Sequence, residues 1–168
     1  MSQPFCYEYP RPAVTVDLVA FVREGSTLRV LLVRRKAEPF AGRWALPGGF
    51  LNLDEPAEAG ARRELREETG LEVAGPVEPI GFFDAPGRDP RGRTISLAFA
   101  ALVPGPLPAV AGADDAEKAE WRAVEGLAGL AFDHDAILAR ARGWLGRVDS
   151  VSKPPKKPGG RRRKASND

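Results

Sequence analysis

Gly49 to Leu71 reads GFLNLDEPAEAGARRELREETGL, a turn, a helix and a second turn, each with its own local signal. Asp54 or Glu55 suits the helix N-cap. Pro56 suits the first turn, where its missing N–H forfeits no hydrogen bond, and Gly70 suits the left-handed residue that closes a helix. The pattern predicts a helix from about Pro56 to Thr69. At 100° per residue, Glu64, Glu67 and Glu68 fall within about a third of its circumference, beneath the small residues Ala57, Gly60 and Ala61. Like charges at this spacing repel, at a cost of roughly 0.2–0.5 kcal/mol per pair. A hard divalent cation reverses that sign. Mg²⁺ takes oxygen ligands, keeps several waters and is usually held by one or two carboxylates together with substrate phosphates. The face therefore predicts a phosphate-bound Mg²⁺ site.

Immediately upstream, Trp44-Ala45-Leu46-Pro47-Gly48-Gly49 reads as a strand end running into a glycine-rich turn. Gly48 and Gly49 would let the backbone come close to a phosphate. Further upstream, Ala13–Val22 and Leu28–Arg34 are β-branched and apolar around the turn Glu24-Gly25-Ser26, a hairpin pattern. Downstream, Val77–Asp84 and Thr94–Val103 read as strands joined by a polar loop, Ala85–Arg93. A short strand over Glu120–Val124 and a helix from about Asp133 to Leu145 complete the pattern. Strands on both sides of a central helix, followed by a terminal helix, predict an α/β fold with a mixed sheet between helices.

The chain has 168 residues, 43% hydrophobic and 29% charged, enough to bury one sizeable core. No apolar run is long enough for a membrane span, and the start MSQPFCYEYPRP lacks the basic-then-apolar order of a signal peptide. Cys6 stands alone, so no internal disulfide forms, and a cytoplasmic location is expected. The whole-chain charge of +2 hides a division. Residues 148–168 are expected to be a disordered basic tail, since the run SKPPKKPGGRRRKASND within them is rich in Lys and Arg with no apolar anchor, and they leave the body, residues 1–147, acidic. Such a tail is the one feature suited to nucleic acid, and a specific interaction of that kind is not expected.

Gly49, Glu55, Arg63, Glu64, Leu65, Glu67, Glu68, Gly70 and Leu71 together fill the signature box of the Nudix hydrolases. The order of elements over roughly residues 12–147 also resembles the Nudix fold, an α/β/α sandwich with a mixed sheet. That family cleaves nucleoside diphosphates linked to another moiety, usually with Mg²⁺ or Mn²⁺. The resemblance implies that Glu67 and Glu68 bind the metal, that Glu64 ligates or acts as base, and that Arg63 orients these glutamates by a salt bridge. In many relatives the base or a further ligand lies on a loop after the sheet. Here the matching acidic loop is Asp114-Asp115-Ala116-Glu117, with Glu117 a candidate beside Glu64.

Pro86, fifteen residues after Leu71, is similar to the downstream proline of ADP-ribose pyrophosphatases. The segment around it resembles that subgroup's loop. The expected reaction is hydrolysis of ADP-ribose to AMP and ribose 5-phosphate. Arg88, Arg91 and Arg93 would clamp the diphosphate or terminal ribose phosphate by paired hydrogen bonds, with Arg34 and Arg35 approaching from the second strand. No tyrosine follows the box, which argues against the dinucleoside polyphosphate subgroup. An 8-oxo-dGTP-type triphosphate pyrophosphohydrolase is the alternative enzyme. An ADP-ribose-sensing transcription regulator is the alternative of another class, although such regulators carry a winged-helix domain after the Nudix-like domain. The resemblance also implies a homodimer.

Four further expectations concern particular residues and one short segment. His134 reads as a cap or surface residue beside the last helix, and Trp44, Trp121 and Trp144 as core. Phe82, Phe83 or Tyr9 would sandwich an adenine. Tyr7–Pro12 would form an edge strand reaching a partner subunit.

Overall fold

The computed structural model describes residues 6–113 and 116–152, the last two by backbone alone. Its elements run β1 (Ala13–Glu24), β2 (Thr27–Arg35), β3 (Trp44–Ala45), β4 (Gly48–Phe50), α1 (Ala57–Thr69), β5 (Glu78–Phe83), β6 (Thr94–Val103), β7 (Ala116–Ala123) and α2 (His134–Ser152). The strands form one mixed seven-stranded sheet. Its main path is β3-β2-β1-β6-β5, with β4 beside β1 and β7 beside β2. β1 and β6 run parallel over Ala13–Val22 and Thr94–Val103, and the other pairings are antiparallel.

Alternation along β1 explains the layers. Val16, Leu18 and Ala20 point into a core with Ala61 and Leu65 of α1. Val19 and Phe21 point the other way, toward Ile137, Leu138, Ala141 and Leu145 of α2. Because β1 is covered on both faces, it reads as a continuous apolar run, as strands buried on two sides do. The result is the expected α/β class, with a helical layer on each face of a mixed sheet.

The free edge of β1 is shared. Phe21–Glu24 pair with β2, whereas Thr15–Asp17 pair with β4. One edge cannot hold two strands at the same place, so the sheet splits between β2 and β4, and a cavity lined by residues of β1, β2 and β4 lies there.

α1 is anchored mainly by Leu65, which is fully buried, so Leu65→Ala would cost about 2–5 kcal/mol. Its start differs from the sequence expectation: Pro56, with extended backbone, occupies the N-cap, and no side chain caps the helix. Glu55 is engaged elsewhere, its carboxylate accepting from Asn52 N and from Arg63. Gly70 closes the helix at φ 70°, its N–H donating to Arg66 O at 2.8 Å. The carbonyls of Glu68 and Thr69, left without helical partners, accept from Ala113 and Ala111.

Other boundaries also move. β7 begins at Ala116, earlier than expected, and α2 continues to Ser152, into the segment read as tail. Cys6–Pro12 form no strand, which removes the expected edge strand over Tyr7–Pro12. Trp144 is buried and donates to Glu78, while Trp44 and Trp121 are only half-buried. Among the described residues no helix is long and apolar enough to cross a membrane. The basic run from Lys153 onward, Asp114 and Asp115 lie outside the described residues.

Candidate active site

The cavity, about 350 Å³, is lined by Arg63, Glu64, Glu67 and Glu68 of α1 together with Arg35, Arg88, Asp89 and Arg91. Its floor is made by Thr15 and Asp17 of β1, Leu46, Gly48 and His134.

The two glycines bring α1 against the sheet. A Cβ on Gly49 would lie 2.5–2.6 Å from the Glu64 carboxylate, and one on Gly48 would collide with the Val16 carbonyl and with Asp17. Only backbone without side chains fits between the glutamates and β1. The Gly48 amide donates to Glu68 Oε2 at 3.0 Å.

Arg63 organises the acidic face. Its Nε and Nη2 donate to Glu55, its Nη1 donates to Glu64 at 2.8 Å and to Glu67 at 2.9 Å, and Nη2 also donates to Phe50 O. This guanidinium lowers the Glu55 pKa to about 2, chiefly through the direct hydrogen bond, and the same bond raises the pKa of Arg63. Glu68 differs. It is 8% exposed, and burial pushes its pKa up to about 8, only partly opposed by the Gly48 amide. Burial raises Glu64 as well, with Arg63 acting against it.

Beneath them lies a buried polar cluster. Ser96 Oγ donates to Asp17 Oδ2, the Leu46 amide donates to His134 Nδ1 at 2.9 Å, and His134 Nε2 lies 3.5 Å from Asp17 Oδ1. Burial pulls the His134 pKa down, so the ring is neutral. His134 is therefore a buried residue of the cavity floor, not a cap or surface group.

The loop between β5 and β6 is tied down by two ion pairs, one to the residue before α2 and one within the loop. Arg88, whose side chain is 4% exposed, grips Asp133 through Nε at 2.9 Å and Nη2 at 2.6 Å. Arg91 grips the buried Asp89, and its guanidinium carbon lies 4.9 Å from the Phe50 ring centre and 5.5 Å from that of Phe132. This is cation–π range.

The structure thus brings Arg35, Gly48, Gly49, Arg63, Glu64, Glu67, Glu68, Arg88 and Arg91 to one cavity. Four other predicted residues do not line it. Arg34 donates to Gly42 O and lies 3.6 Å from Glu117, Arg93 donates to Asp84 O, and Pro86 is exposed. The aromatic groups at the cavity are Phe50 and Phe132, in place of the expected Phe82, Phe83 or Tyr9. Asp17 was missed although its signal was present: a carboxylate in the middle of the apolar run AVTVDLVAFV must be paired or functional.

Among the described residues no three His, Cys, Asp or Glu side chains converge to hold a metal by themselves. Arg63 occupies Glu64 and Glu67, and Gly48 occupies one oxygen of Glu68. The donor set nevertheless suits Mg²⁺, which uses few protein carboxylates and completes its shell with water and phosphate.

The model for the NUDIX domain matches residues 11–142. An ADP-ribose pyrophosphatase of Methanocaldococcus jannaschii is 39% identical over 137 residues, covering 81% of this chain and 76% of that protein. An ADPR responsive transcriptional repressor of Acinetobacter baylyi is 34% identical over 138 residues, 80% of this chain, which spans only 54% of the repressor. Among solved structures, the NUDIX domain of Shewanella oneidensis NrtR complexed with ADP ribose superposes with a TM-score of 0.75 at 31% identity, covering 82% of this chain and 90% of that one.

Proposed function

The chain belongs to the Nudix family of hydrolases, and on that premise we propose that it hydrolyses a nucleoside diphosphate linked to a second moiety, with ADP-ribose cleaved to AMP and ribose 5-phosphate. The observation that carries the reading is the gathering of opposite charges around one cavity: Glu64, Glu67 and Glu68 of α1 together with Arg35, Arg88 and Arg91. A pyrophosphate needs both, because its own anionic oxygens repel a nucleophile until they are neutralised.

Glu67 and Glu68 would hold Mg²⁺, with Mn²⁺ as a substitute. When bound, the cation would neutralise phosphate oxygens and favour ionisation of a water. The protein's own groups supply the rest. Arg63 orients Glu64 and Glu67 through one guanidinium, and the Gly48 amide fixes Glu68. Arg88 and Arg91, each held by a carboxylate, present positive charge to the substrate from a fixed loop. Of the described candidates for the base, Glu64 lines the cavity and Glu117 does not, so Glu64 is the proposed proton acceptor. A small-molecule substrate, a homodimer and a cytoplasmic location accompany this reading.

The test is a Mg²⁺-dependent comparison of ADP-ribose, NADH, diadenosine polyphosphates and 8-oxo-dGTP by kcat/KM, with AMP identified as product. Preference for ADP-ribose supports the proposal, and preference for 8-oxo-dGTP replaces its substrate while keeping its chemistry. A second reading, an ADP-ribose-binding regulatory domain, is favoured by the likeness to the repressor and to the ADP ribose complex. It predicts tight ADP-ribose binding with no AMP formed.

A further inference from the structure

His134 begins α2, on the opposite side of the sheet from α1, yet it reaches the cavity that the glutamates line. Its Nδ1 accepts the Leu46 amide at 2.9 Å. A nitrogen that accepts carries no hydrogen, so the neutral ring bears its hydrogen on Nε2, facing Asp17 Oδ1. The ring is thereby held at Nδ1 by a hydrogen bond, with Nε2 3.5 Å from Asp17, which is itself held by Ser96.

Two residues beyond Leu46, the Gly48 amide donates to Glu68 Oε2. The link between them has little freedom. Pro47 has a fixed φ, and its carbonyl accepts from Leu18 N at 2.9 Å. Gly48 is pressed so closely on β1 that no side chain fits there. The Leu46 and Gly48 amides therefore belong to one short, stiff segment laid against β1, with the His134 bond at one end and the Glu68 bond at the other. Removing the acceptor would also leave a buried N–H without a partner, which the segment can relieve only by moving.

We infer that His134 is a positioning residue: through its bond to the Leu46 amide it sets the Leu46–Gly48 segment and so the orientation of Glu68, which couples α2 to the cation affinity of α1. The inference rests on Glu68 being a cation ligand, as proposed above.

His134→Asn and His134→Gln separate the two ring nitrogens. Asn carries its carbonyl oxygen near the place of Nδ1, whereas Gln reaches toward that of Nε2. Mn²⁺ binding without substrate, followed by electron paramagnetic resonance of the free ion, is compared in wild type, both variants and Glu68→Gln. Glu68→Gln and His134→Gln each weaken binding by about tenfold, and His134→Asn stays within about twofold of wild type. Wild-type affinity in His134→Gln, or equal loss in Asn and Gln variants, overturns the inference while leaving Glu68 a ligand. Unchanged affinity in Glu68→Gln overturns both. Should the variants not fold, ¹⁵N NMR of the wild type decides. Added Mg²⁺ must shift the Leu46 amide and His134 Nδ1 along with the Gly48 amide, and a Gly48 shift without the other two overturns the coupling.

Discussion

Arg63 and Glu55, eight residues apart, are joined by three hydrogen bonds, Nε to both carboxylate oxygens and Nη2 to Oε1 at 2.7 Å. This pairing holds one side of the guanidinium against the loop before α1 and leaves Nη1 to bind Glu64 and Glu67 together. Arg63→Lys keeps the charge but cannot divide it among three carboxylates. Its kcat is expected to fall by about 10²-fold with the fold retained by circular dichroism. A Lys variant with wild-type kcat would show that the shared guanidinium does not orient the glutamates.

Gly48 and Gly49 should respond differently to the same added methyl. At Gly48 the new atom meets the rigid Val16 backbone, so Gly48→Ala is expected to lose about 1–3 kcal/mol of stability. At Gly49 it meets the end of Glu64, a side chain that can swing aside. Gly49→Ala should keep most of its stability and lose activity. Urea unfolding of the two variants beside their kcat values checks the contrast, and equal stability losses would refute it.

The cation-free protein should carry a pH signature from Glu68. Its folded pKa of about 8 lies above the ordinary value of 4.5, so the folded state holds the proton more tightly than the unfolded state. The stability linked to Glu68 is full below 4.5 and is lost as pH rises toward 8. Glu68→Gln removes this dependence. In the presence of a chelator, the Tm advantage of the variant over wild type is expected to grow from pH 5 to pH 8, and a constant difference would contradict the burial argument.

Asp133 should matter for binding although it does not line the cavity. Asp133→Asn leaves the buried Arg88 side chain without its charge partner, which is expected to cost up to about 3–5 kcal/mol and to release the loop that carries Arg91. The expected kinetic effect is a KM raised severalfold with kcat less affected. A fall in kcat at unchanged KM would place Arg88 with the reacting atoms instead.

Glu64→Gln and Glu117→Gln test the choice of base. Glu117 is exposed and lies outside the cavity, so its variant should keep kcat within about threefold, whereas loss of a general base costs about 10²–10⁴-fold. The reverse order would move the base to Glu117, near the start of β7.

α1 was legible because its signals are local: the spacing of Glu64, Glu67 and Glu68, Pro56 at the start and Gly70 at the end. Even there, the capping role of Glu55 gave way to Arg63, a partner eight residues on. β3 was legible only as a strand end and β4 only as a turn, since two or three residues carry no period and they exist as strands only because β2 and β1 offer edges. The start of β7 was hidden because Ala116–Lys118 pair across an irregularity at Arg34 and Arg35. His134 was misread because flanking aspartates made it look solvated, whereas α2 buries it under the cavity. Arg88 and Arg91 were found as basic residues of a loop, but Asp133 and Asp89, which hold them, are visible only in three dimensions.

The most direct test of the central claim is AMP formation from ADP-ribose with Mg²⁺, wild type against Glu68→Gln at equal protein concentration. The account predicts AMP and ribose 5-phosphate in equal amounts from the wild type and a rate lower by about 10³-fold in the variant, which should remain folded. Equal rates in the two proteins would contradict the assignment of the buried Glu68 to the cation.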